Sequence, residues 1–150
     1  MTAEQGIDPR GPRFSAGITA VVVLVVLALA LLGSTLAATI LFALQAVVFA
    51  IGAFAGVQRH PYGFLYRRLI RPRLKAPLEL EDARPPTFAQ GVGLFVTVVG
   101  LVLTIAGVPI ALPIAAAAAF VAAFLNAVFD YCLGCQIYLL LVRAKVIKAA

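Results

Sequence analysis

The chain has 150 residues, 63% of them hydrophobic and 12% charged, with a formal net charge of +6 and a mean hydropathy of +1.07. Soluble domains run at about 45–50% apolar and about 25% charged, so too little polar surface remains to coat a globule in water, and a soluble enzyme is excluded. Residues 14–58 and 85–129 contain no Asp, Glu, Lys or Arg. A membrane helix needs about 20 apolar residues, so each run accommodates two spans and a tight turn.

The N-terminal start mixes Glu4, Asp8, Arg10 and Arg13 and leads into an apolar stretch far longer than a signal-peptide core of about 7–15 residues. A cleaved leader is not expected. The first span is predicted over about 14–32, interrupted by Gly33-Ser34-Thr35, and the second over about 36–57. The segment 58–87 follows. Its Tyr62-Gly63-Phe64-Leu65-Tyr66-Arg67-Arg68-Leu69-Ile70-Arg71 run mixes aromatic, aliphatic and basic residues as an interfacial amphipathic helix does, which predicts contact with anionic lipid headgroups. Pro72 limits that helix, and Pro85-Pro86 precedes a third span over about 88–106. Gly107-Val108-Pro109 separates it from a fourth over about 110–130, and the segment 131–150 closes the chain.

Backbone groups in lipid must be satisfied within a helix or a closed barrel, and the apolar runs lack the alternation of barrel strands. The expected fold is therefore all-α, a single membrane domain over 1–150 formed by a four-helix transmembrane bundle. It consists of two hairpins, with interfacial amphipathic helices after spans two and four. All twelve Lys and Arg residues fall in 1–13, 58–87 and 143–150, and none in either turn. Lys and Arg in short loops set orientation, so both termini and the central segment are expected in the cytoplasm. The same asymmetry accounts for the basic charge without a nucleic-acid partner.

Pro12-Arg13-Phe14-Ser15-Ala16-Gly17-Ile18 opens span one and Pro86-Thr87-Phe88-Ala89-Gln90-Gly91-Val92 opens span three, an offset of 74. At an offset of 75, Phe49 falls on Phe124, Phe54 on Phe129, Leu65 on Leu140, and His60 on Cys135. This suggests two parallel copies of a hairpin followed by an interfacial helix, related by an axis along the membrane normal.

The chemistry-bearing feature is Asp130-Tyr131-Cys132-Leu133-Gly134-Cys135, which holds both cysteines of the chain. Residues 110–142 as one helix would run roughly 50 Å, against a bilayer core of about 30 Å. That helix either tilts and protrudes or breaks near Asp130–Gly134, with Asp130 as an N-cap. The thiols then lie at the cytoplasmic surface, a reducing compartment that favours a cycling dithiol over a permanent disulfide. Cys132, nearer the helix start, is the expected first nucleophile, because a helix N-terminus or a neighbouring cation favours the thiolate.

Supporting candidates are Asn126 and Asp130, four residues apart, and Arg59 and His60 at the end of span two, whose cations would pair with the thiolate. Gln90 and Tyr138 complete the set. One CxxC alone cannot supply a four-thiolate zinc site, and no motif calls for a cofactor or metal. Two other readings stand beside the dithiol relay. One is a membrane scaffold whose cysteines only pack. The other is a small-solute permease with Gln45, Gln90 and Asn126 along its path, narrow unless the protein forms a homo-oligomer.

Several separated motifs resemble the domain of unknown function 4395 family. They are Asp8-Pro9-Arg10-Gly11-Pro12-Arg13-Phe14, Arg71-Pro72-Arg73-Leu74 with Glu79-Leu80-Glu81-Asp82, Pro85-Pro86-Thr87-Phe88-Ala89-Gln90, and Phe124-Leu125-Asn126-Ala127 with Cys132-Leu133-Gly134-Cys135 and Tyr138. The resemblance implies a small bacterial inner-membrane protein, frequent in actinobacteria. It also implies thiol or sulfane-sulfur chemistry with a thioredoxin-like or sulfurtransferase partner.

Overall fold

The computed structural model describes residues 6–148. Glu4 of the N-terminal start and the last two residues of the 131–150 segment lie outside the described residues. Four long apolar helices form the bundle: α1 (Arg10–Leu31), α2 (Thr35–Ala55), α4 (Arg84–Ile105) and α5 (Ala111–Phe129). Each has the length and composition to cross a membrane. Between α2 and α4 lie the short helix α3 (Pro61–Leu65) and its wider and tighter continuations through Arg73; α6 (Leu133–Arg143) follows α5.

Both entering helices begin earlier than the hydropathy pattern predicts, at Arg10 and Arg84, because an aspartate two residues upstream anchors each start. Asp8 Oδ1 accepts from the Arg10 N–H at 3.0 Å and Asp82 Oδ1 from the Arg84 N–H at 2.9 Å. Each arginine side chain then folds back onto the same carboxylate, at 2.7 Å for Arg10–Asp8 and 2.6 Å for Arg84–Asp82. Hydropathy is blind to these polar starts.

The two clasps are one of a series of matched features. Gly33 and Gly107, 74 positions apart, close the two hairpins at φ +86° and +101°, a region glycine enters without a Cβ clash. Gly56 and Asp130, again 74 apart, end α2 and α5 at positive φ. Phe14 packs its ring on Tyr66 at 5.8 Å, and Phe88 packs on Tyr138 at 5.6 Å. Helix α1 packs on α5 as α4 packs on α2. Ile7 pairs with Glu81, its own counterpart, through reciprocal backbone hydrogen bonds of 2.8 and 2.9 Å. The halves are thus parallel copies about an approximate two-fold axis that passes beside this bridge.

The register beyond the spans differs from the expected one. Helix α3 starts at Pro61 and α6 at Leu133, an offset of 72, because the second copy has two fewer residues between cap and helix. His60 therefore corresponds to Cys132, not Cys135: each is the N-cap of its helix.

Lipid tails are as apolar as leucine, so small residues that allow close approach, rather than burial from water, hold such a bundle together. At the uncharged end Val23, Val26, Ala38, Phe42, Leu112 and Ala116 form the core, and Gly100 lies directly against Ala115. The outward faces carry exposed Val, Leu, Ile and Phe, among them Leu24, Leu44, Phe54 and Phe95.

Candidate functional site

Asp130 ends α5 in the left-handed conformation at φ 56° and ψ 31°, and the Tyr131 N–H returns to the Leu125 carbonyl at 3.1 Å. Aspartate tolerates this region better than most side chains. It is thus the terminator of α5 rather than the N-cap of the next helix. Cys132 takes that second role: its backbone is extended and its Sγ accepts the Cys135 N–H at 3.2 Å. The continuous-helix alternative is thereby settled in favour of a break. Cys132 and Cys135 are joined as a disulfide, with their Cα atoms 5.2 Å apart, in the first turn of α6.

Helix α6 is held onto α4 by Gly134, which seats on Ala89, and by Tyr138 on Phe88. Tyr138 is buried in this contact, and it is not among the residues that line the cavity beside the disulfide. The seat sets the disulfide against this partly open cavity of about 440 Å³, lined by α1, α4, α5 and α6, with Phe49 of α2 at its side. Cys132, Cys135, Gln90, Asn126 and Asp130 all line it, and so do Arg13 and Glu81. Along α5 the lining extends from Asp130 to Ala118, a descent of roughly 18 Å at about 1.5 Å per residue. A larger hollow of about 700 Å³ between α2 and the opposite face of α4 is an open, apolar, lipid-facing groove. It holds none of the candidate residues.

The mouth is charged and the depth is not. Arg13 donates to the Ala127 carbonyl at 3.3 Å, capping the end of α5, and its Nε lies 3.8 Å from Asp130 Oδ1. Burial and then the Asp130 carboxylate push the Glu81 carboxyl above its usual range. Sequence reasoning missed both Arg13 and Glu81. The available signal was the repeat itself, since arginine at position 13 stands where the second copy has Thr87. Thr87 serves the opposite end of the pseudo-symmetric pair, its Oγ1 accepting the Val57 N–H at 3.2 Å just beyond α2.

Arg59 and His60 do not join the sulfurs. Arg59 is exposed. His60 is 1% exposed and lies at the corresponding place in the other half of the bundle. Its Nδ1 accepts the Tyr62 N–H at 3.3 Å, and Tyr62 donates through its hydroxyl to Gln45 Oε1 at 2.8 Å. Burial holds the imidazole down to about 4, and the adjacent Gln90 amide partly offsets this. Gln90 Oε1 and His60 Nε2 are close without reaching good hydrogen-bond geometry. Gln90 touches both places, lining the cavity and flanking His60.

The contrast between the halves explains why one is hollow. Where α2 carries Gln45, Phe49 and Gly52, the 74-residue offset gives Ala119, Ala123 and Asn126 on α5. In the first half the large side chains and His60 fill the space, and Gly52 has room for no Cβ against Gln90 and His60. In the second half alanines leave it open. Among the described residues no three His, Cys, Asp or Glu side chains are grouped as metal ligands.

A family profile described as Domain of unknown function (DUF4395) matches residues 7–143, from the Ile7 bridge to the end of α6. The chain belongs to that family. No curated protein and no solved structure matched it. The DUF4395 match spans both halves of the bundle and the disulfide turn alike.

Proposed function

We propose that this DUF4395 protein is a thiol–disulfide relay of the bacterial cytoplasmic membrane, with Cys132 and Cys135 as the working pair. The observation that carries the reading is the bonded cysteine pair at the start of α6, open to a cavity that also presents Arg13, Gln90 and Asn126. A pair that only packed would need no hollow beneath it. The one-sided distribution of the lysines and arginines supports a cytoplasmic position for the basic end, and with it for the sulfurs. The partner is a soluble dithiol protein of thioredoxin-like or sulfurtransferase type.

The Cys135 N–H donates to Cys132 Sγ, and such a bond, with the helix N-terminus, favours negative charge on Cys132. Cys132 is therefore the better leaving thiolate. A partner thiolate attacks Cys135, the Cys132–Cys135 bond breaks, and a mixed disulfide forms at Cys135. The partner's second thiolate then attacks its own bonded sulfur and leaves with the disulfide. Two electrons pass to the cysteine pair, and the partner's two protons balance the two thiols formed.

Cys132→Ser should accumulate a mixed disulfide through Cys135, and Cys135→Ser should not. A membrane-impermeant maleimide should shift the reduced pair only after cells are opened. If no disulfide or adduct is ever trapped in either variant, the cysteines are packing residues of a scaffold.

A further inference from the structure

The relay needs a second party, because a pair reduced by a soluble dithiol must pass its electrons on. The cavity indicates what that party is. Its mouth already contains two carboxylates, Glu81 and Asp130, against one cation, Arg13, whose guanidinium is engaged by Asp130 and the Ala127 carbonyl. An anionic sulfur compound would enter against that balance. Deeper in, the lining is uncharged: alanines of α5, Val96, Phe49, and the amides of Gln90 and Asn126. The Asn126 side chain, which lines the cavity, makes no hydrogen bond to a described residue. A neutral, flat, apolar ring bearing hydrogen-bond acceptors matches this lining, and the unpartnered Asn126 amide can donate to one of its oxygens. The volume of about 440 Å³ lies in the usual range of small-ligand pockets, about 300–1,000 Å³. The cavity lining extends roughly 18 Å along the membrane-spanning α5 from the disulfide end.

We infer that the cavity beneath Cys132–Cys135 binds a membrane quinone, which reoxidises the reduced pair. This rests on the relay reading for the source of electrons. The Cys132 thiolate adds to a ring carbon of the quinone, and the Cys135 thiolate attacks Cys132 Sγ. The carbon–sulfur bond breaks, its electron pair stays with the ring, and the disulfide re-forms. The two cysteine protons and two electrons end on the quinone oxygens as the quinol.

The test uses the full-length protein in lipid nanodiscs and a benzoquinone with a decyl tail as the probe. The oxidised protein cannot react with it, so calorimetry reads binding alone. The expected result is saturable binding that Ala122→Phe, which fills the cavity, abolishes. Stopped-flow absorbance of the quinone, without oxygen, then follows reoxidation of the pre-reduced protein. Ala122→Phe and, independently, Asn126→Leu should slow it by at least about tenfold, while reoxidation by a small soluble disulfide changes by less than about twofold. Circular dichroism checks that both variants are folded. No binding by the oxidised wild type, or equal quinone rates in wild type and both folded variants, overturns the inference. Binding that persists when no soluble dithiol reduces the pair supports the cavity assignment and removes only the relay, so the two readings fail separately.

Discussion

Gly134→Ala adds a single methyl group at the seat of α6, and its effect can be worked from the contact. The new Cβ would lie 2.5 Å from Ala89 Cβ and 2.6 Å from Ala89 Cα. Packed carbons sit about 3.5–4.0 Å apart, so α6 must withdraw by roughly 1 Å. No rotamer change relieves the clash, because both partners are fixed to backbone. Replacing glycine by alanine in a helix favours folding by about 0.5–1 kcal/mol, whereas overpacking costs about 1–3 kcal/mol. The second effect dominates, for a net loss of about 1–2 kcal/mol. In detergent micelles this lowers the melting temperature by roughly 2–8 °C, at about 2–4 °C per kcal/mol for a chain of this size. The withdrawal also loosens the Tyr138–Phe88 contact and exposes the sulfurs, so a soluble dithiol should reduce the disulfide faster. Adding Ala89→Gly restores only part of the stability, since the contact with residue 89's Cα persists. A Gly134→Ala protein that melts at or above the wild-type temperature would refute the reasoning.

His60 makes stability depend on pH. Burial keeps its pKa at about 4 instead of 6.5, so in the interval between those values the unfolded chain takes up a proton that the folded chain refuses. Stability is full above about 6.5 and falls as the pH descends toward 4, and denaturant titrations at stepped pH should show that slope disappear in His60→Gln. At the sulfurs, Arg13→Ala should lower the alkylation rate of the reduced pair at neutral pH, since a cation lining the same cavity favours the thiolate. Arg59→Ala should leave it unchanged; the reverse pattern would place the operative cation at the end of α2.

The four spans were legible because charge and lipid cannot coexist: the two charge-free runs and the glycine turns at Gly33 and Gly107 appear directly in the letters. The repeat was legible in Pro12/Pro86 and Phe14/Phe88, but its register past the membrane was not. The two-residue difference between Gly56–His60 and Asp130–Cys132 shifts the match from 74 to 72, and no local residue type announces it. Pairing His60 with Cys135 followed from extending the 75-residue offset of Phe49/Phe124 past the spans. The grouping of Gln90, Asn126 and Asp130 around one cavity depends on which faces of α4 and α5 meet, and those faces are uniformly apolar in sequence. Arg13 looked like one more topology signal among twelve basic residues. Its place at the mouth follows from the close packing of α1 against α5, which alanine and glycine permit everywhere and therefore mark nowhere.

The unequal halves have a consequence for how such a protein can be built. Two identical half-chains assembled about the same axis would be obliged to repeat every choice, and would carry either two hollows or two plugs. Joined in one polypeptide, the halves are released from that obligation. Gln45, Phe49 and His60 supply bulk on one side, which leaves Ala119, Ala123 and Cys132 free to shape a chamber on the other. The first hairpin is then an abutment for the second, and Gln90, reaching from α4, borders the filled side and the open one alike.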